Sequence, residues 1–267
     1  MTPTDDAQPP LTPLSRFLGV LGFLTRLVPG RLLPEADMRR AMFHLPLCGL
    51  ALGLAVAAPL AALHAAGPLA GKPLAHAWLA VLLSAWLTRG LHLDGLADIC
   101  DGAASHVEPE RFWTIVKDSR VGVFGAAGVG LYLLGQVALL AEALRGREPL
   151  LAAAAIAWVL LFGRCCGVVF GFLHRSGLRP GLGGLFLAGA DKTAVIWAAA
   201  LALGTGLQLG FSTTAGVVLA GAVLAAWLLL APLSRLGRAV GGINGDFLGA
   251  SILLGETAAA LSLALLL

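Results

Sequence analysis

The sequence predicts an all-α polytopic membrane protein with about seven transmembrane helices, an N-terminal interfacial or re-entrant helix, and an active site at the cytoplasmic face. Three observations carry this expectation. Of the 267 residues, 58% are hydrophobic and 12% are charged, the mean hydropathy is +0.87, and the apolar residues come in runs long enough to cross about 30 Å of hydrocarbon. Lys and Arg gather at alternate ends of those runs, as orientation in a membrane requires. Carboxylates cluster directly after one run, where ionisable residues serve function more often than solubility. The net charge of +3 is small and forms no basic patch, so it gives no footing for a nucleic-acid partner.

Residues 1–13 are Pro-rich and acidic and read as a disordered tail ahead of a single transmembrane catalytic domain, 14–267. Residues 14–29 are apolar but carry Arg16 and Arg26 and no small-residue cleavage site, which predicts an interfacial or re-entrant helix in place of a signal peptide. Residues 41–66 contain no Asp, Glu, Lys or Arg and make the first span; 74–91 make the second, ending at Arg89. A polar segment, 92 to 120, follows. The third span, 121–141, is charge-free and holds Gly122, Gly125, Gly128 and Gly130, which admit a neighbouring helix closely. Residues 150–173 form a fourth span with one charge, Arg164, and the charge-free run 193–234 folds back near 204–214 into a fifth and sixth. The last span, 247–267, contains only Glu256.

With residue 41 on the cytoplasmic side, fifteen of the 18 Lys and Arg lie inside, and only Lys72, Arg145 and Arg147 lie outside. That bias places the acidic stretch and the loops at 111–120, 174–192 and 235–246 on one cytoplasmic face. Cys48, Cys100, Cys165 and Cys166 show no C-x-x-C spacing and read as reduced packing residues.

The polar chemistry is organised around residues 92–102, HLDGLADICDG. Asp94, Asp98 and Asp101 stand at i, i+4 and i+7, within roughly 60° on a helix. Three carboxylates on one face repel one another unless a cation holds them. An oxygen-only donor set selects a hard ion, Mg²⁺ or Mn²⁺, and no His/Cys spacing supports zinc. The spacing does not fit a calcium loop, and the plainer alternative is a solvated Asp/Gly turn. His92 and His106 flank the acids. In KDSRVGVFG, residues 117–125, Asp118 offers a fourth carboxylate, and Lys117 and Arg120 offer the point charge and planar fork that phosphate oxygens prefer. The same residues also suit a solvated segment with membrane-anchoring cations. Arg164 either snorkels to the interface or faces the bundle and binds an anion. HRSGLRPGLGG, residues 174–184, suits phosphate or a plain connection equally. GGINGDFLGA, residues 241–250, brings Asn244 and Asp246 as oxygen donors, with a simple helix cap by Asp246 as the alternative.

HLDGLADICDG, then KDSRVGVFG, then GGINGDFLGA resemble the motifs of the cobalamin synthase family, adenosylcobinamide-GDP ribazoletransferase. FLTRL at 23–27, HLPLCGLALG at 44–53, Arg164 and GLGG at 181–184 extend the likeness over nearly the whole chain. Asn244 departs from an expected threonine, and the proline after FLTRL is displaced to Pro29. The resemblance implies an inner-membrane, Mg²⁺-dependent transferase that joins adenosylcobinamide-GDP to α-ribazole, or its 5′-phosphate, with release of GMP. It implies metal ligation and catalysis by Asp94, Asp98, Asp101 and Asp118, and substrate contacts from His92, Lys117, Arg120, Arg164, Asn244 and Asp246. The partners expected are these substrates and the bilayer, and the glycine-rich third span suits a homo-oligomer. A CDP-alcohol phosphatidyltransferase also uses D-x-x-D-G, matched by Asp98 to Gly102, but its pattern continues Ala-Arg where this chain has Ser105 and His106. A cation-coupled transporter is the alternative from another class; its acids belong near the bilayer midplane, whereas these follow a span.

Overall fold

The structure, a computed structural model, describes residues 11–30, 33–104, 108–207 and 214–267. The N-terminal residues up to 10, His106, and residues 208–213, within the stretch where the fold-back was expected, lie outside the described residues. Everything regular among the described residues is helical, apart from one isolated parallel bridge between Leu178 and Ile243.

Helix α1, Pro13–Leu24, is capped by Thr12 with proline in its first turn and is 12 residues long, about 18 Å, too short to span. Arg16 does not interrupt it as a surface charge: the guanidinium is buried and paired at 2.8 Å with Asp37 of the short helix α2, Glu35–Met38. A 3-10 turn, Ala41–His44, leads into α3, Leu45–Ala65. The bundle continues with α4, Pro73–Leu87, α5, Leu91–Ala103, and the short amphipathic α6, Pro109–Val116. Then come α7, Val123–Leu144, α8, Pro149–Leu173, and one turn and a half of α9, Leu182–Leu187. The chain closes with α10, Lys192–Leu207, α11, Thr214–Ala239, and α12, Gly245–Leu266.

Five of the described helices are long and apolar enough to cross a membrane, and a sixth crossing is counted if α4 and α5 are one broken span. The seven expected spans exceed this for two reasons. The expected fifth span is the short α10, apolar over Lys192–Gly206. The expected second span, 74–91, stops at Leu87 and turns by 90° into α5. Burial ranks the helices: 83% of the apolar window of α8 and 72% of that of α12 are inside the bundle, against 17% for α7 and 22% for α11. An apolar helix of this kind buries where its side chains are small. A Cβ on Gly53 of α3 would stand 2.7 Å from the Ala157 Cα of α8, and one on Gly163 of α8 would stand 2.6 Å from the Ile252 carbonyl of α12. Backbones in such contact gain dispersion and lose little side-chain entropy, the way helices associate without a hydrophobic drive from water. All four cysteines are free.

Candidate active site

The 90° turn that presents α5 is built locally. Thr88 Oγ1 donates back to the Ser84 carbonyl at 2.8 Å, and the Gly90 N–H closes on the Ala85 carbonyl at 2.9 Å, the six-to-one bond of a helix C-terminus. Arg89 and Gly90 both take left-handed backbone, φ 56° and 68°, so the chain leaves the axis of α4 at once. FLTRL holds the corner from outside. Arg26 Nε donates to the Trp86 carbonyl at 2.9 Å, its N–H to Leu87 at 2.7 Å, and Arg89 Nη1 reaches the Gly22 carbonyl at 3.3 Å. These arginines tie α1 to the end of α4.

On α5, Asp94 is exposed and lines a cleft of about 570 Å³ together with Arg89, Leu93, Ala97 and the start of α7. Asp98 is half-buried. Burial, then the charges of Asp246, Asp94 and Asp101, push its carboxyl up to about 7. Asp101 has another duty. Its two oxygens accept the backbone N–H groups of Gly122 at 2.7 Å and Gly125 at 2.8 Å, which caps α7 from a different helix and sets a negative charge at its positive end. Only glycine fits this arrangement: a Cβ on Gly122 or Gly125 would lie 2.5 Å or 2.3 Å from those same oxygens. Gly128 is equally close to Cys100, at 2.4 Å, so the neighbour that the glycines of α7 admit is α5.

Asp246 reaches the acids from α12. The cap of α12 is Asn244, whose Oδ1 accepts the N–H groups of Asp246 and Phe247, while its Nδ2 donates to Asp246 Oδ2 at 2.6 Å. The capping role considered for Asp246 therefore belongs to Asn244. A Cβ on Gly95 would stand 2.9 Å from the Asp246 Cα, so α5 crosses the first turn of α12 backbone to backbone. The loop before α12 is itself docked: Arg179 N–H donates to the Ile243 carbonyl and Ile243 N–H to Gly177, both at 2.8 Å. Trp113 Nε1 holds the Val240 carbonyl at 2.8 Å, and the Arg179 guanidinium lies 4.4 Å over the Trp113 ring. GLGG and GGING thus mate as two backbones. A Cβ on Gly183 would stand 2.5 Å from the Gly245 nitrogen.

Asp118 does not join the acids. Both its oxygens take the Arg120 guanidinium, with the closest approach at 2.6 Å, and these bonds hold its carboxyl down at about 2. A two-residue ring of this kind is a local turn at the surface, and Lys117 beside it is exposed. Among the described residues no group of three or more His, Cys, Asp or Glu side chains is gathered as a ready metal-ion cage. Of the four acids expected to hold metal, Asp118 pairs with Arg120 and both oxygens of Asp101 accept N–H groups at the start of α7, while Asp98 feels the charges of Asp94, Asp101 and Asp246.

Residues 16–264 match the family model described as Cobalamin-5-phosphate synthase. The chain belongs to this family. An adenosylcobinamide-GDP ribazoletransferase of Nitratidesulfovibrio vulgaris is 41% identical over 242 residues, covering 90% of this chain and 91% of that one. Relatives with the same description from Klebsiella pneumoniae and Escherichia coli are 38% and 37% identical over 250 and 247 residues, covering 91% and 90% of this chain and 96% and 95% of theirs. No solved structure matches the chain.

Two expected site residues lie behind the acids in this synthase fold. His92 is buried against the backbone of Gly249, and burial, then the nearby Arg164 charge, pushes its imidazole down to about 3. Arg164 faces the bundle, as one of its two readings had it, but the anion it meets is the chain's own Glu256. Its Nη1 also donates to the Leu160 carbonyl at 2.9 Å, and Glu256 Oε2 accepts the Tyr132 hydroxyl at 2.6 Å. His92, Tyr132, Arg164 and Glu256 border a cavity of about 30 Å³, room for a water or two and not for a nucleotide. Sequence reasoning named Asp246 as an oxygen donor but did not group it with the acids of α5, and it missed Arg89 as a cation of the cleft and Glu256 as the partner of Arg164. Glu256 carried a signal as the single charge in the last span.

Proposed function

We propose that this member of the family transfers the adenosylcobinamide phosphate moiety of adenosylcobinamide-GDP to α-ribazole or its 5′-phosphate, releasing GMP, in a bacterial cytoplasmic membrane. The observation that carries the reading is the match of residues 16–264 to the synthase family, together with relatives of that description along nine-tenths of the chain. The whole bundle, 14–267, is the catalytic domain. Counting α4 and α10 as crossings gives seven, with α5 lying outside the spans and the Lys- and Arg-rich ends, and so the acids, on the cytoplasmic side.

The site suits attack by a hydroxyl on a diphosphate. Asp94, Asp98 and Asp246 are an oxygen-only set, which fits a hard divalent cation; burial first, and then the neighbouring carboxylates, raise the Asp98 carboxyl, and a bound cation would oppose both. Asp94, Asp98 and Asp246 would hold Mg²⁺. A metal held by these carboxylates would supply charge neutralisation to diphosphate oxygens during displacement by a hydroxyl. Arg89 presents a guanidinium at the same cleft, where it orients the phosphates, and Lys117 and Arg120 add positive charge on the exposed segment that leads into α7. Asp101 is a positioning residue that fixes the angle between α5 and α7. Asn244 holds Asp246 in its rotamer through the 2.6 Å bond.

Purified protein in liposomes, given adenosylcobinamide-GDP and α-ribazole 5′-phosphate, tests the reading through GMP release. Release that needs both substrates and Mg²⁺, and that is lost in Asp98→Asn and Asp246→Asn, supports it. Release from one substrate alone, or full activity of both variants, refutes it.

A further inference from the structure

Helix α11 lies along α12 and stands away from α8 and α10, leaving a groove of about 750 Å³ between them. Its floor is Phe162, Cys166 and Phe170 of α8, and its wall on α11 is Val223, Trp227 and Leu230. The wall continues on the same helical face, at spacings of three and four, to Ser234 and Arg238, with Arg235 beside them. The groove is therefore apolar along its length and basic at one end. From Val223 to Arg238 it runs about 22 Å, more than one leaflet's half of a roughly 30 Å hydrocarbon core.

The basic end is built. Arg238 Nη1 donates to Ser234 Oγ at 2.8 Å, Ser234 Oγ meets His174 Nε2 at 2.9 Å, and His174 Nδ1 lies 3.0 Å from the Phe170 carbonyl. Neither Arg235 nor Arg238 has a carboxylate partner among the described residues. Two uncompensated guanidiniums at i and i+3, at the mouth of an apolar slot and at the end of a span, complement a phosphate that carries an acyl chain.

We propose that this groove is a binding site for an anionic phospholipid, with its phosphate on Arg235 and Arg238 and an acyl chain laid against Phe170 and Trp227. The lipid bridges α8 and α11, which otherwise scarcely touch. It thereby braces the end of α11 that continues through 240–244 into α12 and Asp246. The site is separate from the acids and does not depend on the reaction proposed for them.

The full-length protein in detergent is titrated with phosphatidylglycerol, with phosphatidylethanolamine and with inorganic phosphate, reading the thermal midpoint and the lipid retained in native mass spectra. Phosphatidylglycerol should raise the midpoint and be retained, and the other two should do neither. The Arg235→Gln/Arg238→Gln protein should lose phosphatidylglycerol retention at least tenfold, and Val223→Trp, at an exposed position in the slot, should lose it with both arginines in place. Equal retention of phosphatidylethanolamine would mean an ordinary lipid annulus and overturn the proposal. Protection by inorganic phosphate alone, or undiminished retention in both variants, would overturn it as well.

Discussion

Asp101→Asn separates the two roles open to this carboxylate. In the structure its oxygens accept two backbone N–H groups, at 2.7 Å and 2.8 Å, from the first turn of α7. The asparagine keeps one acceptor and turns an NH₂ group toward the other N–H. Losing one capping bond costs about 1 kcal/mol, within a range of roughly 0.5–2, and removing the charge from the helix N-terminus adds about 0.3–1. A total of about 1–3 kcal/mol corresponds to roughly 2–12 °C in the thermal midpoint of a chain this long. The assay is a thermal-inactivation curve in liposomes alongside GMP release over a Mg²⁺ titration. The expected result is a lower midpoint, substantial activity at low temperature, and an unchanged Mg²⁺ concentration for half activity. An unchanged midpoint with abolished activity, or a large rise in the Mg²⁺ requirement, would return Asp101 to direct ligation and refute the capping argument.

The remaining predictions follow from the same geometry. Asp98 is raised from 3.8 to about 7 in the metal-free protein, so between those values the folded state binds more protons than the unfolded one and stability falls as pH rises. The midpoint in chelator should therefore increase as pH drops from 7 toward 4; Asp98→Asn should flatten this slope, and saturating Mg²⁺ should weaken it. Arg164→Ala leaves Glu256 charged and buried, a cost of about 3–5 kcal/mol, and should drastically reduce folded protein on a detergent chromatogram. Joint Arg164→Met/Glu256→Met should recover most of it, whereas a double variant no better than the single would contradict a pairing role. Gly125→Ala places a methyl 2.3 Å from Asp101 Oδ2 and 2.9 Å from the Ala97 carbonyl. Because the second neighbour is backbone, α5 and α7 must part, and activity should fall at least a hundredfold, while Gly130→Ala, with nothing within 4 Å, should behave as wild type.

Much of the fold is legible in the order of residues because the bilayer imposes a simple rule: a helix must be long and apolar to cross. That rule locates α3, α7, α8, α11 and α12 to within a few residues of the expected spans. It misplaces the second span because hydropathy averages over the corner at Arg89 and Gly90, where two left-handed residues redirect the backbone. The i, i+4, i+7 spacing likewise puts three acids on one face of one helix. It does not say which oxygens are already engaged. Asp101 and Asp118 look alike in sequence, but one caps a helix that begins 22 residues later and the other chelates Arg120 two residues away.

The sequence by itself determined the membrane character, the five long apolar helices and the family, because hydropathy and motif order are properties of neighbouring residues. Only the tertiary structure decided that Asp246 lies against α5 where its charge acts on Asp98, that Glu256 neutralises Arg164, and that GLGG docks on GGING. These pairings join residues 62 to 148 positions apart. Electrostatic and packing energies depend on distance in space, and in a helical bundle that distance is set by which small residues let two backbones touch.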